Sequence, residues 1–172
     1  MLELVPLTHE DFARFGRVID IEGGQSFPTN RGEATRVHAL SDIDCSTEDG
    51  RGIISIFVVH RPTPATRLRL MERHPISTQA FIPLVPVPTV VIVSPAEEKP
   101  SPSNLRGFLT NGKQGFSYSR GTWHHPLIAL SAGEFIVIDR VGADNRQDYE
   151  EIEIGSWDVR LDTLGISSQS RI

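Results

Sequence analysis

The sequence predicts an all-β fold, a sandwich or barrel with one short N-terminal helix. Three observations predict it. Short apolar, β-branched runs recur along nearly the whole chain, Gly, Pro and Asn turns separate them, and only one segment carries helical signals. With 172 residues, 38% hydrophobic and 23% charged, the chain is expected to form one soluble globular domain over residues 1–172, with 156–172 a loose C-terminal tail.

The helix is expected over Thr8–Gly16. Thr8 can cap it, Asp11 stands three residues on, Phe12 and Phe15 share a face, and Gly16 can end it. Strands are expected at Arg17–Asp20, Ala34–Leu40, Gly52–His60, Arg67–Met71, Thr78–Leu84 and Thr89–Ser94. Further ones follow at Leu105–Thr110, Phe116–Arg120, Leu127–Leu130, Glu134–Arg140 and Tyr149–Ile154. Asn111-Gly112 reads as a hairpin turn. Pro86 and Pro88 confine their stretch to an edge or a connection.

A net charge of −5 argues against a nucleic-acid binder that works by bulk electrostatics. The single cysteine, Cys45, allows no internal disulfide and no CxxC zinc site. No secretory signal and no membrane span are expected, so the cytoplasm is the default location. No nucleotide-binding glycine fingerprint is present, and no organic cofactor is expected.

Two segments concentrate ionisable side chains beside prolines: Glu72–Pro83 and Tyr118–Pro126. If the pleat runs through Glu72–His74, Glu72 and His74 face one way and Arg73 the other. Glu72, His74 and Gln79, joined by His124, can surround one cation. The same groups can instead perform acid–base work. Spacing alone leaves both open.

Gly121-Thr122-Trp123-His124 resembles the second cupin motif, whose Gly-x-x-His turn delivers a histidine into a barrel. Glu72-x-His74-x4-Gln79 looks like a degenerate first motif, with Glu72 at a usual His position and Gln79 at the usual Glu position. A closer match follows from strings in order: Glu72-Arg73-His74-Pro75, Thr78–Pro83, Thr110-Asn111-Gly112, Gln114-Gly115, Trp123–Pro126 and Ile138-Asp139-Arg140. These resemble the signature of the ureidoglycolate lyases. The similarity covers nearly the whole chain up to residue 155. The resemblance implies a cupin-type barrel or jelly roll, commonly a homodimer, acting on ureidoglycolate in allantoin breakdown. A divalent metal, nickel, is associated with the family.

For that chemistry the expected roles follow residue type. Arg73 or Arg120 grips the carboxylate. His124 or His74 is the base or a metal ligand, with Gln79 completing the metal set. Glu72 orients its neighbour or acts as the acid, and Gln79 and Tyr118 hydrogen-bond the ureido group. Lys113 is a further candidate base. Arg36 and His38 share a strand face that either lines the pocket or meets solvent. Asp139-Arg140 is read as a structural ion pair or a substrate contact, and Trp123 as barrel wall. Phe57, Phe81 and Phe135 are read as core, and Glu150, Glu151 and Glu153 as a solvated face. Two other readings stand beside the lyase: a ureidoglycolate amidohydrolase, and a cupin-like module that binds a small carboxylate without turning it over.

Overall fold

Thr8 caps α1 (His9–Phe12), the one α-helix among the described residues, its hydroxyl accepting the Asp11 amide at 3.1 Å. The helix is shorter than expected because Gly16 opens a strand, β2 (Gly16–Ile19), instead of closing a helix. A Cβ at Gly16 would lie 1.8 Å from the Ser117 carbonyl oxygen, so close strand approach demands glycine there. The structure is a computed structural model and describes residues 1–63 and 68–157.

The remaining strands are β1 (Leu4–Pro6), β3 (Gln25–Thr29), β4 (Ala34–His38), β5 (Arg51–Val59), β6 (Leu70–Arg73), β7 (Gln79–Pro83) and β8 (Thr89–Ser94). After them come β9 (Arg106–Leu109), β10 (Gly115–Tyr118), β11 (Trp123–His124), β12 (Ile128–Ala129), β13 (Gly133–Val141) and β14 (Glu150–Glu153). They form two sheets. One has the order β1-β9-β8-β11-β6-β14, with β12 also on β8; the other has the order β2-β10-β7-β13-β5. A separate hairpin pairs β3 with β4. The expected all-β class holds, as two facing sheets.

Asn111-Gly112 is not the turn of a hairpin. It carries the chain from β9 in one sheet to β10 in the other, with Gly112 at φ +86°. The turn chemistry sets a sharp reversal, whereas burial selects the pairing partner. Pro86 and Pro88 lie in another such crossing, between β7 and β8. Arg67, expected to begin a strand, lies outside the described residues, as do residues 158–172 of the expected tail.

Alternation along the strands builds the interior. Phe81, Phe116, Val137 and Phe135 from one sheet meet Val91, Val93 and Phe108 from the other, with Phe12 and Phe15 closing one end. The β8 run is buried throughout because its opposite face packs a second cluster that includes Leu68, Met71, Trp123 and Ile154. Phe57 is less buried than expected: it lies on edge strand β5 and stays 44% exposed while contacting Phe81 edge-on.

Candidate functional site

The same pleat that makes one end of the interior aromatic makes the other end polar. Gln79 precedes Phe81 by two on β7, Tyr118 follows Phe116 by two on β10, and Asp139 follows Val137 by two on β13. From the opposite sheet, Glu72 and His124 are register partners on β6 and β11. His74, two beyond Glu72, brings its ring to 5.5 Å from that of His124. Trp123 and Arg73 point the other way, where the Arg73 guanidinium lies 4.5 Å over the Trp123 ring.

His124 is 2% exposed and stacks flat on Tyr118, ring centroids 4.0 Å apart. Its Nδ1 lies 2.9 Å from the Thr122 carbonyl. A carbonyl only accepts, so Nδ1 carries the proton and Nε2 presents a lone pair. Burial holds the imidazole neutral, its pKa lowered to about 3. The 3.6 Å approach of Nε2 to Glu72 Oε1 is therefore not an ion pair, although both partners are ionisable types. Two electron-rich atoms face each other there, and a proton or a cation between them relieves the repulsion.

His74 repeats the pattern. Its Nδ1 donates to the Asp148 carbonyl at 2.8 Å, and its buried Nε2 has no hydrogen-bond partner. The Gln79 amide bonds Asp139, leaving Gln79 Oε1 and Asp139 Oδ1 also without partners. Burial raises the Asp139 pKa, against the opposing effects of His74 and Gln79. Burial likewise raises that of Glu72, against the Tyr149 hydrogen bond and the neighbouring His74. Tyr149 Oη sits at the rim, 2.5 Å from Glu151 Oε2 and 3.2 Å from Glu72 Oε2. Burial and the Glu72 charge push the Tyr118 hydroxyl well above its ordinary range.

Among the described residues no three His, Cys, Asp or Glu side chains form a metal-holding group by themselves. The buried, unpartnered donor atoms are two imidazole Nε2 atoms, the Gln79 amide oxygen and Asp139 Oδ1. That mixture suits a borderline divalent ion, and each unpartnered atom is otherwise costly to bury.

Several expected site residues lie elsewhere. Arg73 pairs with Glu150 at 2.6 Å. Arg120 lies past the end of β10, off the face of Tyr118, and pairs with Asp44 at 2.8 Å. Neither guanidinium is free inside. Arg36 and His38 line a groove of about 370 Å³ on the outer face of the five-stranded sheet, floored by Ala80, Ile82 and Ile138. That is the face opposite Gln79 and Tyr118. Lys113 lies in the turn held by Asn111 Oδ1, exposed and remote from His124. Asp139 and Arg140 do not pair with each other, since they project from opposite faces of β13. Arg140 donates to the carbonyls of Thr47 and Glu48.

Glu150, Glu151 and Glu153 are exposed as expected, with Glu150 paired to Arg73 and Glu151 bonded by Tyr149 at the rim. Asp139 was legible as the third inward residue after Phe135 and Val137. For Asp148 and Tyr149 the sequence offers no signal, because their roles depend on β14 pairing with β6.

A family model described as "Ureidoglycolate lyase" matches residues 1–160. The chain belongs to the ureidoglycolate lyase family. Among curated relatives of this family member, the ureidoglycolate lyase of Azotobacter vinelandii is 46% identical over 145 residues, covering 83% of this chain and 87% of the relative. That of Pseudomonas paraeruginosa is 43% identical over 148 residues, 86% of this chain and 88% of the relative. That of Burkholderia mallei is 42% identical over 157 residues, 91% and 92%. A solved structure, the RmlC epimerase of Mycobacterium tuberculosis, superposes with a TM-score of 0.43 at 16% identity, covering 80% of this chain and 72% of that one.

Proposed function

We propose that this protein is a lyase that splits ureidoglycolate into glyoxylate and urea, a step of allantoin and purine breakdown. The observation that carries the reading is a meeting of residues. Glu72, His74, Gln79 and His124, all within the strings shared with the family, converge at the one polar end of the inter-sheet space.

Ureidoglycolate holds a hydroxyl and a ureido nitrogen on one carbon. Eliminating urea moves one proton from that oxygen to that nitrogen while the C–N bond breaks and a carbonyl forms. A single carboxyl group can take the first proton and deliver it to the second site. Glu72 is suited to this transfer, because Oε1 makes no hydrogen bond among the described residues, Oε2 is steadied by Tyr149, and burial raises its proton affinity. Gln79 and Tyr118 face the same space and can orient the substrate.

One divalent cation, nickel by the family resemblance, is part of the proposal, with His74, His124 and Gln79 as the residues that would hold it. Such an ion supplies positive charge for the substrate's carboxylate and hydroxyl, a role that Arg73 and Arg120 do not fill.

A homodimer is also proposed. The outward face of β5 and β13 is apolar: Ile54 is 74% exposed and Ile56 and Val58 are each 51% exposed, beside Ile136 and Ile138. A second copy covering this face would remove the liability of an exposed isoleucine sheet. Ile54→Glu with Ile56→Glu should halve the mass measured by light scattering. An unchanged mass would move the interface elsewhere. No described helix is long and apolar enough to cross a membrane. A cytoplasmic location is proposed, supported by the free, buried thiol of Cys45.

The functional test is product analysis on racemic ureidoglycolate. Urea and glyoxylate should form in equal amounts and stop near half conversion, the mark of a lyase that takes the (S) enantiomer. Ammonia without urea would make the protein an amidohydrolase instead, and no acceleration of either would leave a binding module.

A further inference from the structure

We propose that Asp148 is a positioning residue: its carboxylate fixes the His74–Ser77 loop, and its carbonyl selects the His74 tautomer that presents a bare Nε2 to the site. The inference rests on the reading of His74 as a site residue and adds what holds it there.

Asp148 is an aspartate with 5% exposure, at the end of a short 3-10 turn (Asn145–Asp148). Its Oδ1 accepts the Ile76 amide at 2.9 Å and its Oδ2 accepts the Ser77 hydroxyl at 2.5 Å. Its main-chain oxygen accepts His74 Nδ1–H at 2.8 Å. One residue therefore engages His74, Ile76 and Ser77, across more than seventy positions of sequence. The Gly121 amide holds the loop from the other side by donating to the His74 carbonyl at 2.8 Å. Gly121 takes φ +70°, a conformation that favours glycine.

The placement of Asp148 follows from β14. Glu150 is the register partner of Arg73 and Glu151 that of Glu72, so the residues just before β14 must lie alongside the loop that follows β6. Tyr149, next to Asp148, steadies Glu72 from the same segment. The carboxylate is thus committed to the loop, and the carbonyl to the ring. A carbonyl cannot donate, so His74 is held with its proton on Nδ1.

Long-range 1H–15N spectra of the 15N-labelled, substrate-free protein read which ring nitrogen of His74 is protonated. The Nδ1–H form is expected in the wild type. Asp148→Ala should release the loop, so that Nε2–H appears and kcat falls about 10–100-fold while KM changes less. Asp148→Asn keeps an oxygen for the Ile76 amide and should restore the Nδ1–H form and most of kcat. If Asp148→Ala does not fold, Ser77→Ala removes one of the two carboxylate bonds and should give a partial shift of the same tautomer signal. A fully Nδ1–H His74 in whichever of these two variants folds would overturn the proposal, whatever its stability. The tautomer comparison needs no turnover. A wild type inactive on ureidoglycolate would therefore refute the functional reading while leaving this test standing.

Discussion

Replacing Glu72 by Gln should lower kcat about 10²–10⁴-fold, the usual range for removing a general acid–base group. The substitution isolates the proton from everything else that Glu72 does. Glutamine has nearly the same volume, and its amide oxygen can still accept from Tyr149, which now bonds Oε2 at 3.2 Å. Main-chain pairing of β6 with β11 and β14 is untouched by a side-chain change. The amide cannot take up and release a proton at neutral pH, so a fall in kcat with little change in KM or in bound metal assigns the transfer to this carboxyl. Single-turnover kinetics and metal content per protomer, measured together, separate a lost proton carrier from a lost cation. A variant within a few-fold of wild type would pass the role to Asp139, a half-buried carboxyl whose Oδ1 is unpartnered.

Pleat alternation survives where the strand continues and fails past the end of β10, at Arg120 beyond Tyr118. Glu72 and His74 do share a face and Arg73 does point away, as period-two alternation requires. Trp123 is a wall of the second cluster, again by alternation against inward His124. Expectations that depended on long-range partners do not survive. A guanidinium beside the site in sequence is free only if no carboxylate arrives from elsewhere, and Glu150 and Asp44 arrive, at 2.6 and 2.8 Å. Arg36 and His38 share a strand face as expected, but which sheet face that strand covers is set by tertiary packing.

Two of the shortest strands are missed in the sequence for a different reason. Leu4–Pro6 and Trp123–His124 have three and two residues, too few to show a period. Yet the second of these carries His124, located through its Gly-x-x-His turn. The turn chemistry was legible where the strand was not.

The aromatic end of the interior should carry much of the stability, and Phe116→Ala tests it. Phe116 is 1% exposed, stacks on Phe81 at a centroid distance of 5.5 Å and meets Tyr118 at 5.4 Å. Truncation removes a large apolar side chain and leaves a cavity between two sheets whose backbones are held by their own ladders and cannot close it. The expected loss is about 3–5 kcal/mol in chemical denaturation, with the denaturant slope unchanged. The same cavity opens beside Tyr118, the ring on which His124 stacks at 4.0 Å. At temperatures where the variant remains folded, kcat should therefore fall as well, by less than for Glu72→Gln, because Thr122 still fixes the His124 tautomer through Nδ1. A loss under about 1 kcal/mol would mean that the sheets do not depend on this contact. Full activity with the expected instability would mean that His124 keeps its geometry without support from beneath Tyr118.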